Sequence, residues 1–111
     1  MQSLRYPRLT HAASSGGEFY TQAEIRALVS AARDRGIRVV PEFEMPGHVQ
    51  SILIAYPELG AGPGPYRPGR SMEAMNAALD PTREATYAFV AGLLGEMAGL
   101  FPDRVMHVAG D

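Results

Sequence analysis

The sequence contains no cysteine among its 111 residues. Disulfides, thiolate metal sites, iron–sulfur clusters and a cysteine nucleophile are therefore excluded within it. Lysine is also absent, so all ten cationic side chains are arginines. No apolar run approaches the roughly 18 residues that a membrane-spanning helix needs. The N-terminal stretch has no basic start followed by an apolar run, so we expect neither a membrane span nor a secretory signal peptide.

The chain has little net charge. A value of −2 at pH 7 and an isoelectric point near 5.9 leave no basic surface for nucleic acid or an anionic membrane, and we expect neither partner. Its residues are 46% hydrophobic and 20% charged, which is typical of a globular protein and not of a disordered one.

A strong helix signal covers residues 21–35. Thr21 and Glu24 have the spacing of a capping box, in which each side chain satisfies a free backbone N–H at the helix start. An apolar face follows at helical spacing, formed by Ile25, Leu28, Val29 and Ala32. Gly36 comes where a left-handed C-terminal cap is expected.

The remaining pattern alternates strands and helices. We predict strands at residues 37–43 and 104–111, and a short helix at 49–55 that ends at Tyr56-Pro57. Residues 58–78 form a glycine- and proline-rich loop. Asp80 as N-cap and Pro81 as first helical residue begin a second long helix. Its predicted apolar stripe is Tyr87, Val90, Leu94, Met97 and Phe101.

This alternation predicts an α/β fold with parallel strands and outer helices. Parallel strands are normally buried on both faces, and two strands are too few to form such a sheet. We therefore interpret residues 1–111 as one part of a larger α/β protein, whose remainder is needed for a stable fold.

Polar side chains gather at the ends of both predicted strands, where active sites form in parallel α/β folds. Glu42 and Glu44 lie two residues apart at the end of the first strand and point to one face, with His48 just beyond the Pro46-Gly47 bend. His107 and Asp111 lie four apart on the second strand, again on one face. Carboxylates placed in this way serve acid–base chemistry, electrostatic stabilisation or metal binding.

Structural roles compete with these functional ones. His107 lies between Met106 and Val108, as a buried core histidine would, and His48 fits the start of the following helix. Glu42 and Asp111 fit exposed acids at a strand end and a chain end. The spacings H-x-x-x-H and H-E-x-x-H are absent, so we predict no metal.

The motifs together resemble one enzyme family. The stretch YTQAEI at residues 20–25, then RGIRVVPEFEMPGH at residues 35–48, resembles the family 20 glycoside hydrolases, the β-N-acetylhexosaminidases. The pieces YPEL at 56–59, LDP at 79–81 and LFP at 100–102 fit as well. The ending HVAGD at residues 107–111 is similar to the family motif H-x-G-G-D-E, with Ala109 in place of a glycine. The resemblance covers nearly the whole chain.

The resemblance implies a fold and a reaction. The family folds as a (β/α)8 TIM barrel, which typically needs about 250 residues. Residues 1–111 resemble a fragment of that single catalytic barrel, around its third and fourth strands. The implied reaction is retaining hydrolysis of terminal β-linked N-acetylglucosamine or N-acetylgalactosamine, with the substrate's own acetamido oxygen as nucleophile. N-acetylhexosamine-terminated glycans are therefore the expected partners, and no cofactor is expected.

The resemblance also assigns roles. Asp111 matches the aspartate that orients the acetamido group and stabilises its developing positive charge, and His48 matches the histidine that supports the general acid. Glu44 stands where the family has an acid, and Glu42 and His107 are site-supporting. The general acid of the motif is the glutamate after Asp111, so we expect the 111 residues alone to be inactive.

Two other functions remain open from the sequence. A non-catalytic carbohydrate-binding or degenerate barrel module would bind sugar without cleaving it. An α-amylase-type barrel also has a helix followed by RGI-V before a site histidine. It fits less well, because Gly47 stands where that family has an asparagine.

Overall fold

The computed structural model describes residues 1–12, 17–68 and 77–110. Within them the chain forms four α-helices, α1 (Pro7–Ala12), α2 (Gln22–Arg33), α3 (Gln50–Ala55) and α4 (Glu84–Ala98). A 3₁₀ helix, Pro57–Leu59, follows α3 directly. None of these helices combines the length and the apolar character needed to cross a membrane.

Helix α2 confirms the prediction of its two ends. The Thr21 hydroxyl accepts a hydrogen bond from the Glu24 N–H (3.2 Å), and the Glu24 carboxylate accepts one from the Thr21 N–H (2.7 Å). Gly36 adopts a left-handed φ of +70° after the last turn, and its N–H bonds to the Arg33 carbonyl. The predicted apolar face is only partly right, since Ile25 and Val29 are buried whereas Leu28 is half exposed.

Helix α4 begins three residues later than predicted. The Asp80 carboxylate does not cap it, because that carboxylate accepts bonds from the Thr82 N–H and hydroxyl and from the Arg83 guanidinium. These bonds, that from Arg83 first, lower the pKa of Asp80 to about 2. Arg83 is the N-cap residue and its side chain makes no capping bond. The proposed N-cap at Asp80 with Pro81 inside the helix was therefore wrong.

The buried face of α4 is also rotated from the predicted stripe. The helix buries Thr86, Phe89, Leu93 and Met97. Met97 and Phe101 are buried as expected, and Val90 and Leu94 are partly buried. Tyr87 is exposed, and its hydroxyl donates to the Pro81 carbonyl (2.9 Å).

Helix α1 is not predicted by any pattern in the sequence. Its residues lack apolar periodicity, and its position depends on contacts made at long range. Tyr6, just before it, lies within 6 Å of the rings of Tyr56 (5.9 Å) and Phe89 (4.5 Å). The Arg8 guanidinium stacks 4.4 Å from the centre of the Tyr56 ring.

The two predicted strands are not formed as continuous strands by the described residues. They meet in one parallel bridge, between Glu42 and His107, so the parallel direction is as predicted. A second, antiparallel bridge joins Gly60 and Leu79. The reduced pairing has a physical reason, since two isolated segments have no outer neighbours to complete a ladder.

The helices cover one side of these paired segments. Val49, Leu53 and Met97 are the most buried large side chains of the core, and Val39, Phe43 and Met106 pack against that core from the two segments. Other apolar residues of the same two segments are about half exposed: Ile37, Val40, Val105 and Val108.

The N-terminal segment packs tightly against α4 at Gly92. A Cβ atom at this position would collide with the Tyr6 hydroxyl and would lie 2.8 Å from Arg5 Nε. Gly95, one turn along the same helix, faces open space. Glycine is therefore required at residue 92 by the close approach of residues 5 and 6.

Glu96 of α4 binds two other parts of the chain at once, the segment before α1 and the start of α2. Its carboxylate accepts hydrogen bonds from the Ser3 hydroxyl (2.5 Å), the Leu4 N–H (2.6 Å), the Arg5 N–H (3.3 Å) and the Gln22 amide (2.8 Å). Partial burial raises the pKa of this carboxyl, but the hydrogen bonds together outweigh burial and bring the pKa below its ordinary value.

Arg38 and Asp103 join the starts of the two paired segments. The guanidinium donates two parallel bonds to the carboxylate, Nε to Oδ2 and Nη2 to Oδ1, each 2.8 Å long. Asp103 also accepts from the Val105 N–H (2.9 Å). These bonds, that from Arg38 first, lower the pKa of Asp103 to about 2.

We expect Arg38→Lys to raise the pKa of Asp103 from about 2 towards its ordinary value of 3.8, because one ammonium group cannot reproduce the bidentate hydrogen bonding of the guanidinium. The Asp103 pair stabilises the fold above pH 3.8 and loses this effect as the pH falls towards 2. NMR titration of the carboxyl carbons measures the change. Asp80, whose pKa is lowered by Arg83, is the internal control and should not move; equal shifts at both residues would contradict the assignment.

We expect Glu96→Gln to reduce the free energy of unfolding by about 1–2 kcal/mol, because an amide nitrogen cannot accept the bonds that the carboxylate oxygen receives. Chemical denaturation measures the difference, with Glu84→Gln on the same helix as the control. The pKa of Glu96 is lowered in the folded state, so its contribution is complete above 4.5 and is lost in more acidic solution. The variant and the parent should therefore converge in acid; a difference that is independent of pH would contradict this origin.

Candidate active site

The ends of the two paired segments bring Glu42 and His107 together. The Phe43 N–H donates to the His107 carbonyl (3.0 Å), and the His107 N–H donates to the Pro41 carbonyl (2.9 Å). These bonds place the two side chains next to each other, with 3.3 Å between His107 Nδ1 and Glu42 Oε1. Both are more than half exposed, at 61% for His107 and 54% for Glu42. The structural alternative, in which His107 is buried in the core, is therefore wrong.

A cavity of about 520 Å³ opens beside this pair. Three of the sequence-predicted site residues line it, Glu42, Glu44 and His48. His107 contacts Glu42 but is not part of the lining. The cavity combines acidic and imidazole groups with an apolar wall formed by Phe43, Met45, Val49, Ile52, Leu93 and Met97.

His48 lies in a bend between the first segment and α3. It precedes the N-cap residue Val49, so it is outside the helix in which the structural alternative would place it. Its backbone has a φ of +54°, in the left-handed region that few residues other than glycine adopt. Leu79 holds the bend from one side, because its N–H donates to the Pro46 carbonyl (2.9 Å).

The N-terminal segment supplies cavity residues that sequence reasoning missed. Ser3, Thr10 and Glu18 all contribute to the lining. Ser3 and Thr10 are buried, and Ser3 is held there by its bond to Glu96. Their types and spacing carry no motif, so only the long-range packing of the segment could have revealed them.

Asp111 lies outside the described residues, which end at Gly110. Its assigned role therefore stays a prediction. Among the described residues, no group of three histidine, aspartate or glutamate side chains is arranged to hold a metal ion. The chemistry that the described groups can perform is carboxylate and imidazole chemistry, namely fixed negative charge and proton transfer.

Comparison with known proteins defines the class to which this arrangement belongs. A model of the glycosyl hydrolase family 20 catalytic domain matches residues 1–111. The chain therefore belongs to glycosyl hydrolase family 20, and its solved relatives imply a catalytic domain of the TIM-barrel type.

Individual relatives agree with the family. A β-hexosaminidase of Porphyromonas gingivalis is 36% identical over 96% of this chain and 15% of its own length. The crystal structure of a Flavobacterium johnsoniae chitobiase is 40% identical, with a TM-score of 0.89 over 99% of this chain and 16% of its own. An exo-β-N-acetylglucosaminidase of Vibrio harveyi, solved with N-acetylglucosamine, is 28% identical, with a TM-score of 0.75 over 95% of this chain and 19% of its own. The chain thus spans less than a fifth of the length of each of these three relatives.

We expect the Glu42–His107 pair to contribute less than about 1 kcal/mol to the stability of this chain, because both partners are exposed to solvent. A double-mutant cycle with Glu42→Gln, His107→Gln and the combined variant measures the coupling by chemical denaturation. A coupling well above about 1 kcal/mol would contradict this expectation.

Proposed function

We propose that this chain supplies part of the active site of a β-N-acetylhexosaminidase. The reaction is the retaining hydrolysis of terminal β-linked N-acetylglucosamine or N-acetylgalactosamine from glycans. The observation that carries the proposal is the meeting of Glu42 with His107 at the ends of two parallel segments, beside the cavity that Glu44 and His48 line. Family membership and the β-hexosaminidase and N-acetylglucosaminidase relatives support it.

The proposed mechanism uses the substrate's own acetamido group. Its carbonyl oxygen attacks the anomeric carbon while the general acid protonates the departing glycosidic oxygen, and a cyclic oxazolinium-like intermediate forms. Water then attacks the anomeric carbon and opens this intermediate, which gives net retention. Positive charge develops on the sugar ring and on the acetamido group. Fixed carboxylates stabilise such charge most effectively when they are already in position before the reaction.

The residues take the roles that this charge distribution requires. Asp111 orients the acetamido group and stabilises its positive charge. His48 supports the general acid, the glutamate that follows the aspartate in the family motif, through a polar network. Glu44 adds negative charge at the cavity, and Glu42 and His107 support the site from the two segment ends.

The same proposal extends to the fold. The segments that carry Glu42 and His107 correspond to the third and fourth strands of one (β/α)8 barrel, and residues 1–111 are a contiguous part of that single domain. The exposure of apolar side chains on both segments supports this, since parallel strands of a barrel are covered on both faces; these side chains are Ile37, Val40, Val105 and Val108. The remaining strands would cover these side chains and complete the fold.

A chimera tests the proposal directly. Residues 1–111 replace the matching stretch of the Flavobacterium johnsoniae chitobiase, giving what we call the chitobiase chimera. We expect it to hydrolyse a nitrophenyl N-acetyl-β-glucosaminide and not the matching β-glucoside, because only the former carries the nucleophilic acetamido group. Asp111→Asn should lower kcat by roughly a hundredfold or more, and His48→Ala by about tenfold to a hundredfold.

The matched control is Asp34→Asn, at the exposed C-cap of α2, which should leave kcat unchanged. A folded chimera that binds N-acetylglucosamine but never cleaves the substrate would favour the carbohydrate-binding alternative. Equal kcat values for Asp111→Asn and Asp34→Asn would overturn the role of Asp111.

A further inference from the structure

The backbone of His48 is held in a conformation that it would not adopt by itself. A non-glycine residue in the left-handed region is strained and persists only where the surroundings impose it. His48 has a φ of +54° in a bend between a paired segment and α3. The residues on both sides of the bend must therefore fix it in place.

On the preceding side, the bend is fixed by the segment around Leu79. The Leu79 N–H donates to the Pro46 carbonyl (2.9 Å). That segment is in turn paired with the residues after the 3₁₀ helix, through the Ala61 N–H to the Ala78 carbonyl (3.0 Å) and the Asp80 N–H to the Leu59 carbonyl (2.8 Å). Pro46 is thus supported by a short antiparallel pairing between residues 59–61 and residues 78–80.

On the following side, the bend is fixed by Gln50. Its side-chain amide Nε2 donates to the Arg67 carbonyl (2.5 Å), across seventeen residues of sequence. Val49, between His48 and Gln50, is 1% exposed and cannot shift without opening the core. Gln50 therefore connects the backbone just after His48 to the loop at residues 60–68.

That loop is shaped by Tyr66. The Tyr66 hydroxyl donates to the Gly62 carbonyl (2.9 Å) and accepts from the Gly62 N–H (3.1 Å). Its ring lies against Gly60, where an added Cβ would collide with the hydroxyl and lie 2.6 Å from Cζ. Because Arg67 directly follows Tyr66, the tyrosine determines where the acceptor carbonyl for Gln50 is placed.

We infer that Gln50 and Tyr66 are positioning residues for His48. The Tyr66 hydroxyl fixes the loop, the Arg67 carbonyl then fixes Gln50, and Gln50 fixes the bend that directs the imidazole into the cavity. This inference rests on the proposed function for its effect on catalysis, but the positioning itself is a property of the fold. Neither residue touches the reacting atoms.

The test compares two tyrosine variants and one glutamine variant in the chitobiase chimera. Gln50→Ala should lower kcat about tenfold and leave KM within about twofold, because a misplaced catalytic group slows the reaction without weakening ground-state binding. Tyr66→Phe should lower kcat in the same direction. The matched control is Tyr87→Phe, which also removes a hydroxyl bonded to a backbone carbonyl but far along the chain from the bend, and should have no effect.

A second readout separates positioning from general destabilisation. The NMR signals of the His48 ring, assigned by their loss in His48→Ala, should shift in Gln50→Ala and Tyr66→Phe and remain in place in Tyr87→Phe. The combined Gln50→Ala and Tyr66→Phe variant should be no worse than the more damaging single variant, since both act through the same carbonyl.

The outcomes separate this inference from the proposed function. If the chimera is inactive but the His48 ring signals shift as expected, the positioning stands and the hexosaminidase role fails. If kcat falls while the ring signals remain unchanged, or if only KM changes, the positioning role is overturned. Unchanged kcat and unchanged ring signals in folded Gln50→Ala would overturn it as well.

Discussion

The structure depends on one carboxylate, that of Glu96, which stands where three parts of the chain meet. The carboxylate accepts hydrogen bonds from the segment before α1 and from the start of α2. Because Glu96 belongs to α4, these bonds anchor both segments to that helix. The segment before α1 has no apolar periodicity, and its ring contact with α4 is that of Tyr6 with Phe89. Charge-assisted hydrogen bonds from its backbone N–H groups to Glu96 add to that attachment. This attachment also shapes the cavity, because Ser3 forms part of the cavity wall.

Predictions of helix ends from local sequence signals were correct where the residues that carry the signal bond to their near neighbours. Thr21, Glu24 and Gly36 are such a case, since both ends of α2 are determined within a few residues. Asp80 shows the limit of the same reasoning. Its sequence context is that of an N-cap, but Arg83 competes for the carboxylate three residues later and delays the helix start. Residue type identifies a side chain that can cap a helix, but it does not predict which neighbouring group that side chain will bond.

The candidate site likewise has features that the sequence predicts and features that it does not. The alternation of strands and helices predicted that Glu42 and His107 would come near each other, and the parallel bridge brings them together. Spacing could not predict that His48 adopts a left-handed backbone, because the cause lies in Leu79 and Gln50 contacting distant partners. The spacing also predicted continuous strands where the described residues form a single parallel bridge, because an isolated pair of strands is only marginally stable.

The two glycines of α4 are equivalent in helix propensity but not in their surroundings. Gly95 faces open space, whereas Gly92 leaves room for the Tyr6 hydroxyl and the Arg5 guanidinium. Mutational drift should therefore treat them differently. Residue 95 is free to become alanine during evolution, while residue 92 can change only together with residue 6. The N-terminal segment and the middle of α4, 86 positions apart, would then coevolve as a single unit.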